Sequence, residues 1–186
     1  VQVGQSAGTE RYPLLAITGR FQPFHCDHLH LVRHGLGHAE RVVIGITNPD
    51  ARSLSAIPES PHRHLNGANP FSYLERLRMI QAALNAAGVS RERYDVVPFP
   101  LDAPGVWASY VPVSATQLVR VYSDWEREKT RRLRAGGYAV WVLEGDPRIR
   151  VSGSDIRAAM AAGGCWSQWV PAGAREYLLE RRAGVT

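Results

Sequence analysis

Two short apolar runs with one helical pattern between them restrict this chain to few folds. Leu14-Leu15-Ala16-Ile17 leads into the turn Gly19-Arg20-Phe21-Gln22-Pro23-Phe24-His25-Cys26-Asp27-His28. Leu29, Leu31, Val32 and Leu36 then recur in a periodic apolar pattern, and Arg41-Val42-Val43-Ile44-Gly45-Ile46-Thr47 follows. Runs this apolar belong to buried strands. Strand, helix and strand joined by short links make a right-handed crossover unit, so the two strands lie parallel. The turn then joins a strand end to a helix start. Backbone N–H groups and the helix dipole favour an anion there.

The alternation continues along the chain. Residues 70–84 read as a helix closed by Gly88, and 94–98 as a third strand. A Pro- and Gly-containing loop, 101–105, ends that strand, and Trp107 begins a short segment. Residues 118–122 read as a fourth strand, 124–133 as a charged helix stopped by Gly136-Gly137, and 138–142 as a fifth strand. Ser152-Gly153-Ser154-Asp155-Ile156-Arg157 reads as a helix start with Ser154 as N-cap. A last helix, within 171–182, has Tyr177, Leu178 and Leu179 to bury. The expected fold is α/β: a Rossmann-like open parallel sheet with helices on both faces. Ligands of such sheets sit at the C-terminal ends of the strands. The expected organisation is a disordered lead-in over 1–12 and one domain over 13–186, with an irregular loop at about 48–69.

Bulk properties exclude several classes. No apolar run approaches the roughly 20 residues of a membrane helix, and the first nine residues lack the apolar core of a signal peptide. Cys26 and Cys165 lie far apart and form no metal motif, which points to a reducing cytoplasm. The net charge is +5, carried almost wholly by Arg, with Lys129 the only lysine. The Arg residues are scattered and no recognition motif is visible, so a nucleic-acid-binding module is disfavoured. His25 and His28 are three apart and face one side of a nascent helix turn. Two His are too few for a metal site. Beside Arg20 they read as phosphate contacts, with a buried structural pair as the alternative.

The residues 19–28, followed late in the chain by 152–157, resemble the nucleotidyltransferases that carry an HxGH motif and an S-x-T/S-x-x-R motif. The nearest pattern is the archaeal-type nicotinamide-nucleotide adenylyltransferase. Its GRFQPFHxGH matches here except at one position. Asn69-Pro70-Phe71-Ser72-Tyr73-Leu74-Glu75-Arg76 matches its NPFxxxER element. Trp107, Val121-Tyr122-Ser123 and Trp166 to Pro171 match three further elements. The resemblance spans about residues 14–180. It implies that an acceptor phosphate or phosphonate oxygen attacks the α-phosphorus of a nucleoside triphosphate and pyrophosphate leaves. It implies Mg²⁺ carried mainly by the triphosphate, and leaves a homo-oligomer open. By motif position, His25, His28 and Arg157 are the expected catalytic residues. Gly19, Arg20, Phe21, Ser152, Gly153, Ser154 and Arg157 are the expected nucleotide-binding residues.

The chain departs from that pattern at four places. Asp27 replaces the Gly of HxGH. It reads as a first-turn residue pointing away from the phosphates, with a metal-holding role as the alternative. Pro104 stands where the nicotinamide pocket has an Asn, three residues before Trp107. Asp124-Trp125-Glu126 replaces a Gly-Asn-Pro-like turn, and the 48–69 loop is long. Together these predict a relative retuned for a small, highly anionic acceptor. CTP-dependent cytidylyl transfer to a phosphonate such as phosphonoformate leads, and adenylyl transfer from ATP to nicotinamide mononucleotide is the alternative. Trp107, Arg76 and Arg120 are the expected acceptor-binding residues, with Arg52, His62, Arg63 and His64 as further cations. A non-catalytic nucleotide sensor on the same fold would bind these ligands without releasing pyrophosphate.

Overall fold

A computed structural model describes residues 11–50 and 66–184. Among these, five parallel strands form one sheet in the order β3-β2-β1-β4-β5. They are β1 (Tyr12–Gly19), β2 (Ala39–Ile46), β3 (Tyr94–Pro98), β4 (Thr116–Val121) and β5 (Val140–Glu144). The helices are α1 (Cys26–His38), α2 (Tyr73–Ala86), α3 (Asp124–Ala135), α4 (Gly153–Ala161) and α5 (Ala174–Arg182). The chain runs outward from β1 through β2 to β3, then returns to the other side of β1 for β4 and β5. The strand order therefore reverses between β1 and β4, which leaves a crevice at their C-terminal ends.

Alternation along the strands builds two cores. Leu15 and Ile17 face one side with Ile44 and Leu118, under α1, α2, α4 and α5. Ala16 faces the other side with Val119 and Val121, under α3 and the segment after β3. Each strand is thus apolar on both faces, as the continuous runs required. The β1–β2 register is Ile17 opposite Ile44 and Gly19 opposite Ile46, and Thr47 donates its N–H to Gly19 O at 2.8 Å. The helix ends follow local chemistry. Ser72 and Glu75 form a capping box on α2, and Gly88, at φ +71°, closes that helix in a left-handed conformation.

Three boundaries differ from expectation. β1 already contains Tyr12, so any lead-in ends before it; residues 1–10 lie outside the described residues. Within the 48–69 stretch, Asn66–Ala68 is a 3-10 turn; Arg52, His62, Arg63 and His64 lie outside the described residues. The N-cap of α4 is Ser152, not Ser154, because Asp155 is placed to close a capping box with Ser152.

Candidate active site

The reversal between β1 and β4 opens into a cavity of about 730 Å³. Two helix N-termini meet there, those of α1 and α4. His25 is the N-cap of α1 and is buried; its ring stacks on His28 with centroids 3.7 Å apart. The His25 backbone N–H donates to His28 Nδ1 at 3.3 Å. That nitrogen is therefore the unprotonated one, and the proton of a neutral His28 sits on Nε2. Phe21 meets the His28 ring edge-on at 4.8 Å, and Phe24 stacks on it at 5.6 Å. Burial, and then the charges of the surrounding bases, hold His28 well below the usual imidazole range. Burial likewise pushes His25 down to about 4. Both rings are neutral donors at neutral pH.

On the α4 side, Ser152 N–H and Oγ–H donate to Asp155 Oδ2 at 2.8 and 2.7 Å. Arg157 donates to Gln22 O at 2.6 Å and to Ser154 Oγ at 3.0 Å. Gln22 in turn grips the Phe71 backbone with both ends of its amide, at 2.8 and 3.0 Å. The first motif, the second motif and the start of α2 are thus one hydrogen-bonded unit. A Cβ on Gly153 would fall 2.7 Å from Gln22 O, so only Gly lets α4 approach this closely. Arg20 lines the same cavity; burial first, and Arg157 second, push its guanidinium down to about 10.

Sequence reasoning missed three residues here. Lys129, on α3, is buried and donates to Thr18 O, at the end of β1. Glu126 accepts from Ser123 Oγ at 2.5 Å and from Arg150 at 3.0 Å. Lys129, Glu126 and Arg150 all line the cavity. The signal available in the sequence was Lys129 itself, a lone lysine one helical turn from Glu126 in a helix read only as charged. The field in the cavity is basic: Arg20, Arg150 and Lys129 each act on His28.

The carboxylates of the cavity do not form a metal cage. Asp27 pairs with Arg120, Glu126 with Arg150 and Ser123, and Asp155 caps Ser152. Among the described residues no group of three or more His, Cys, Asp or Glu is placed to hold a metal.

The cytidylyltransferase-like family profile matches residues 16–159, well over half of the chain. The chain belongs to this cytidylyltransferase-like family. It is 38% identical over 164 residues to the phosphonoformate cytidylyltransferase of Streptomyces viridochromogenes, covering 88% of this chain and 89% of that one. It is 29% identical to the nicotinamide-nucleotide adenylyltransferase of Thermococcus kodakarensis, covering 87% and 80%. A bifunctional NMN adenylyltransferase/ADP ribose pyrophosphatase from Francisella tularensis shares the fold, with a TM-score of 0.65 at 18% identity. That match covers 94% of this chain and 51% of the other, so this chain spans about half the length of the bifunctional protein. The protein is a nucleotidyltransferase, and its substrates are a nucleoside triphosphate and an acceptor that carries a phosphate or phosphonate group.

The structure of this nucleotidyltransferase brings His25, His28, Arg157, Gly19, Arg20, Phe21, Ser152, Gly153 and Ser154 to one cavity. It does not bring Trp107 or Arg76 there. Trp107 is 2% exposed, stacks on Phe99 at 5.2 Å and donates Nε1–H to Pro100 O at 2.7 Å. It belongs to the core under the post-β3 segment because its one polar atom is satisfied inside. Arg76 is also 2% exposed, and its guanidinium is spent on backbone carbonyls. Arg120 does line the cavity, but from the α1 side, paired with Asp27. The Asp27 carboxylate therefore turns inward to Arg120 rather than away. Burial pushes the Cys26 thiol up, so the start of α1 does not activate it. Trp166 is in the core, while Trp141, on β5, stacks on Tyr12 at 5.3 Å.

Gly153→Ala is expected to lower kcat/KM by about 10²-fold, because the methyl forces α4 off Gln22 and moves the second motif by a fraction of an ångström or more. Pyrophosphate release at subsaturating nucleotide checks this. Wild-type kcat/KM in a variant would show that the close approach is not needed.

Proposed function

We propose that this nucleotidyltransferase transfers CMP from CTP to a small phosphonate, with phosphonoformate as the leading acceptor, and releases pyrophosphate. The observation that carries the choice of acceptor is Trp107, whose ring is buried against Phe99. With Pro104 three residues before it, that loop offers neither an aromatic platform nor a side-chain amide for a nicotinamide ring. A site lacking such a partner discriminates poorly for a carboxamide. A basic cavity containing Arg20, Arg150 and Lys129 suits a compact anion instead. The 38% identity to a phosphonoformate cytidylyltransferase supports the same reading.

In this reaction an ionised phosphonate oxygen forms a bond to the α-phosphorus as the bond to the β-phosphate oxygen breaks. The acceptor is already ionised near neutral pH, so no strong base is required, and catalysis is positioning and charge stabilisation. His28 donates Nε2–H to an α-phosphate oxygen as charge builds there, and His25 holds the phosphate chain beside it. Arg157, with Ser152, Ser154 and the α4 N-terminus, takes the β- and γ-phosphates, and Arg20 adds a charge to the same chain. Mg²⁺ enters as part of the metal–nucleotide substrate. We place the reaction in the cytoplasm, as a step of phosphonate biosynthesis.

The deciding assay measures pyrophosphate from CTP plus phosphonoformate and, separately, from ATP plus nicotinamide mononucleotide. The first pair is expected to exceed the second by at least ~10²-fold in kcat/KM. The reverse order would overturn the substrate assignment in favour of adenylyl transfer.

A further inference from the structure

We propose that the Asp27–Arg120 pair reads the base of the nucleoside triphosphate, accepting amino bases and rejecting oxo bases, and so separates CTP from UTP. The proposal rests on nucleotidyl transfer at His28 and not on the identity of the acceptor.

The position follows from connectivity. With the α-phosphate at His28 and the tail directed to α4, the nucleoside must occupy room next to the first turn of α1. A second cavity, of about 550 Å³, opens there between α1, the C-terminal ends of β4 and β5, and the segment that leads to α4. Asp27 and Arg120 line both cavities and so stand in the wall between phosphates and nucleoside. Both side chains remain partly exposed, 29% for Asp27 and 21% for Arg120. Tyr122 lines both cavities as well and stands beside this pair.

The chemistry of the pair is specific. A lone carboxylate one residue before His28 would repel a triphosphate. Arg120 neutralises it, so the pair presents an acceptor beside a fork of donors with no net charge. A carboxylate has about four acceptor sites and a guanidinium five N–H donors, so each group keeps capacity beyond their mutual contact. Cytosine offers a 4-amino donor next to the acceptors N3 and O2, which complements Asp27 followed by Arg120. Uracil offers O4 to the carboxylate and N3–H to the guanidinium, a mismatch at both atoms. Adenine passes the same two-atom test and guanine fails it. This gives the Asp in place of a Gly a task that a side chain pointing away would not have.

Rates of pyrophosphate release with CTP, UTP, ATP and GTP, using phosphonoformate and then nicotinamide mononucleotide, test the pair in the wild-type protein. CTP is expected to exceed UTP by ~10²-fold in kcat/KM. Asp27→Asn, whose amide can turn an N–H toward O4, is expected to narrow that ratio at least ~10-fold, mainly through a lower KM for UTP. Wild-type use of UTP within threefold of CTP would overturn the proposal. So would an Asp27→Asn variant that loses activity equally with both nucleotides, the mark of a structural ion pair. If ATP with nicotinamide mononucleotide proves the better pair, the substrate assignment fails while the ATP-to-GTP ratio still reads Asp27 and Arg120. Should Asp27→Asn not fold, the triphosphate of 2-pyrimidinone riboside, which lacks the 4-amino group, gives the answer on wild-type protein. It is expected to fall between CTP and UTP, and equality with CTP would overturn the proposal.

Discussion

His28→Ala is expected to lower kcat by about 10²–10³-fold while the protein stays folded, because it removes a donor aimed at charge that develops only during transfer. The geometry prepares that donor. The His25 N–H fixes His28 Nδ1 as an acceptor, so the only proton the neutral ring carries is on Nε2. Phe21 and Phe24 hold the ring on two sides. Burial keeps it uncharged, so no water shell has to be stripped from an imidazolium when the nucleotide enters. His28→Gln retains a neutral N–H and is expected to recover part of the loss. The same burial has a pH signature. His25 titrates near 4 in the folded protein and near its ordinary value when unfolded. Between those values the unfolded chain binds a proton that the folded one refuses, so stability falls as pH drops from about 6.5 toward 4. Stopped-assay pyrophosphate release and melting curves across that range check both statements. A His28→Ala enzyme within a few-fold of wild type would remove His28 from the chemistry.

Much of this site was legible in the sequence, for identifiable reasons. The strands are short runs that are apolar at every position, and a two-sided core leaves no other use for them. The two motif segments each lie within one turn-to-helix unit, so their local geometry follows from spacing alone. What stayed hidden depends on contacts between distant residues. Asp27 and Arg120 are 93 residues apart, and Lys129 and Thr18 are 111 apart. Those meetings exist because β4 adds beside β1 rather than beyond β3, a choice that no single segment records. Trp107 was placed by its loop, whose Leu101 does line the cavity. Its ring nonetheless turns into the core because Pro100 O supplies a partner for its N–H. Lys129 was lost among the charges of α3, whose buried side carries Trp125, Glu126, Lys129 and Leu133 together.

Arg76→Met is expected to destabilise the fold by about 3–5 kcal/mol, the largest stability effect of any substitution considered. Arg76 lies on α2, 2% exposed, with Met79 and Ile80 close by in the chain. Its guanidinium donates to Ser72 O at 3.2 Å, Arg20 O at 3.0 Å, Thr47 O at 2.7 Å and Asn48 O at 2.7 Å. Three of those carbonyls follow the ends of β1 and β2, where no strand partner remains to satisfy them, while Ser72 O also accepts the Arg76 backbone N–H at 3.1 Å. One planar fork serves several acceptors that the sheet leaves over, a task a point-like ammonium cannot match. Burial pushes its pKa down to about 10, which still leaves it charged at neutral pH. Removing it strands buried carbonyls at about 1–3 kcal/mol each, partly relieved by water. For a chain of this length the loss corresponds to a melting shift of roughly 6–20 °C. Arg76→Lys is expected to fall between the two, because one ammonium reaches some of the four oxygens but not all. The contrast with an acceptor-binding role is direct. A binding cation would raise the acceptor KM and leave the melting point alone, whereas this clamp lowers the melting point of the free protein. Below that lowered midpoint, acceptor KM is expected to stay within about threefold of wild type. An Arg76→Met protein that melts within 2 °C of wild type but needs far more acceptor would return Arg76 to the binding site.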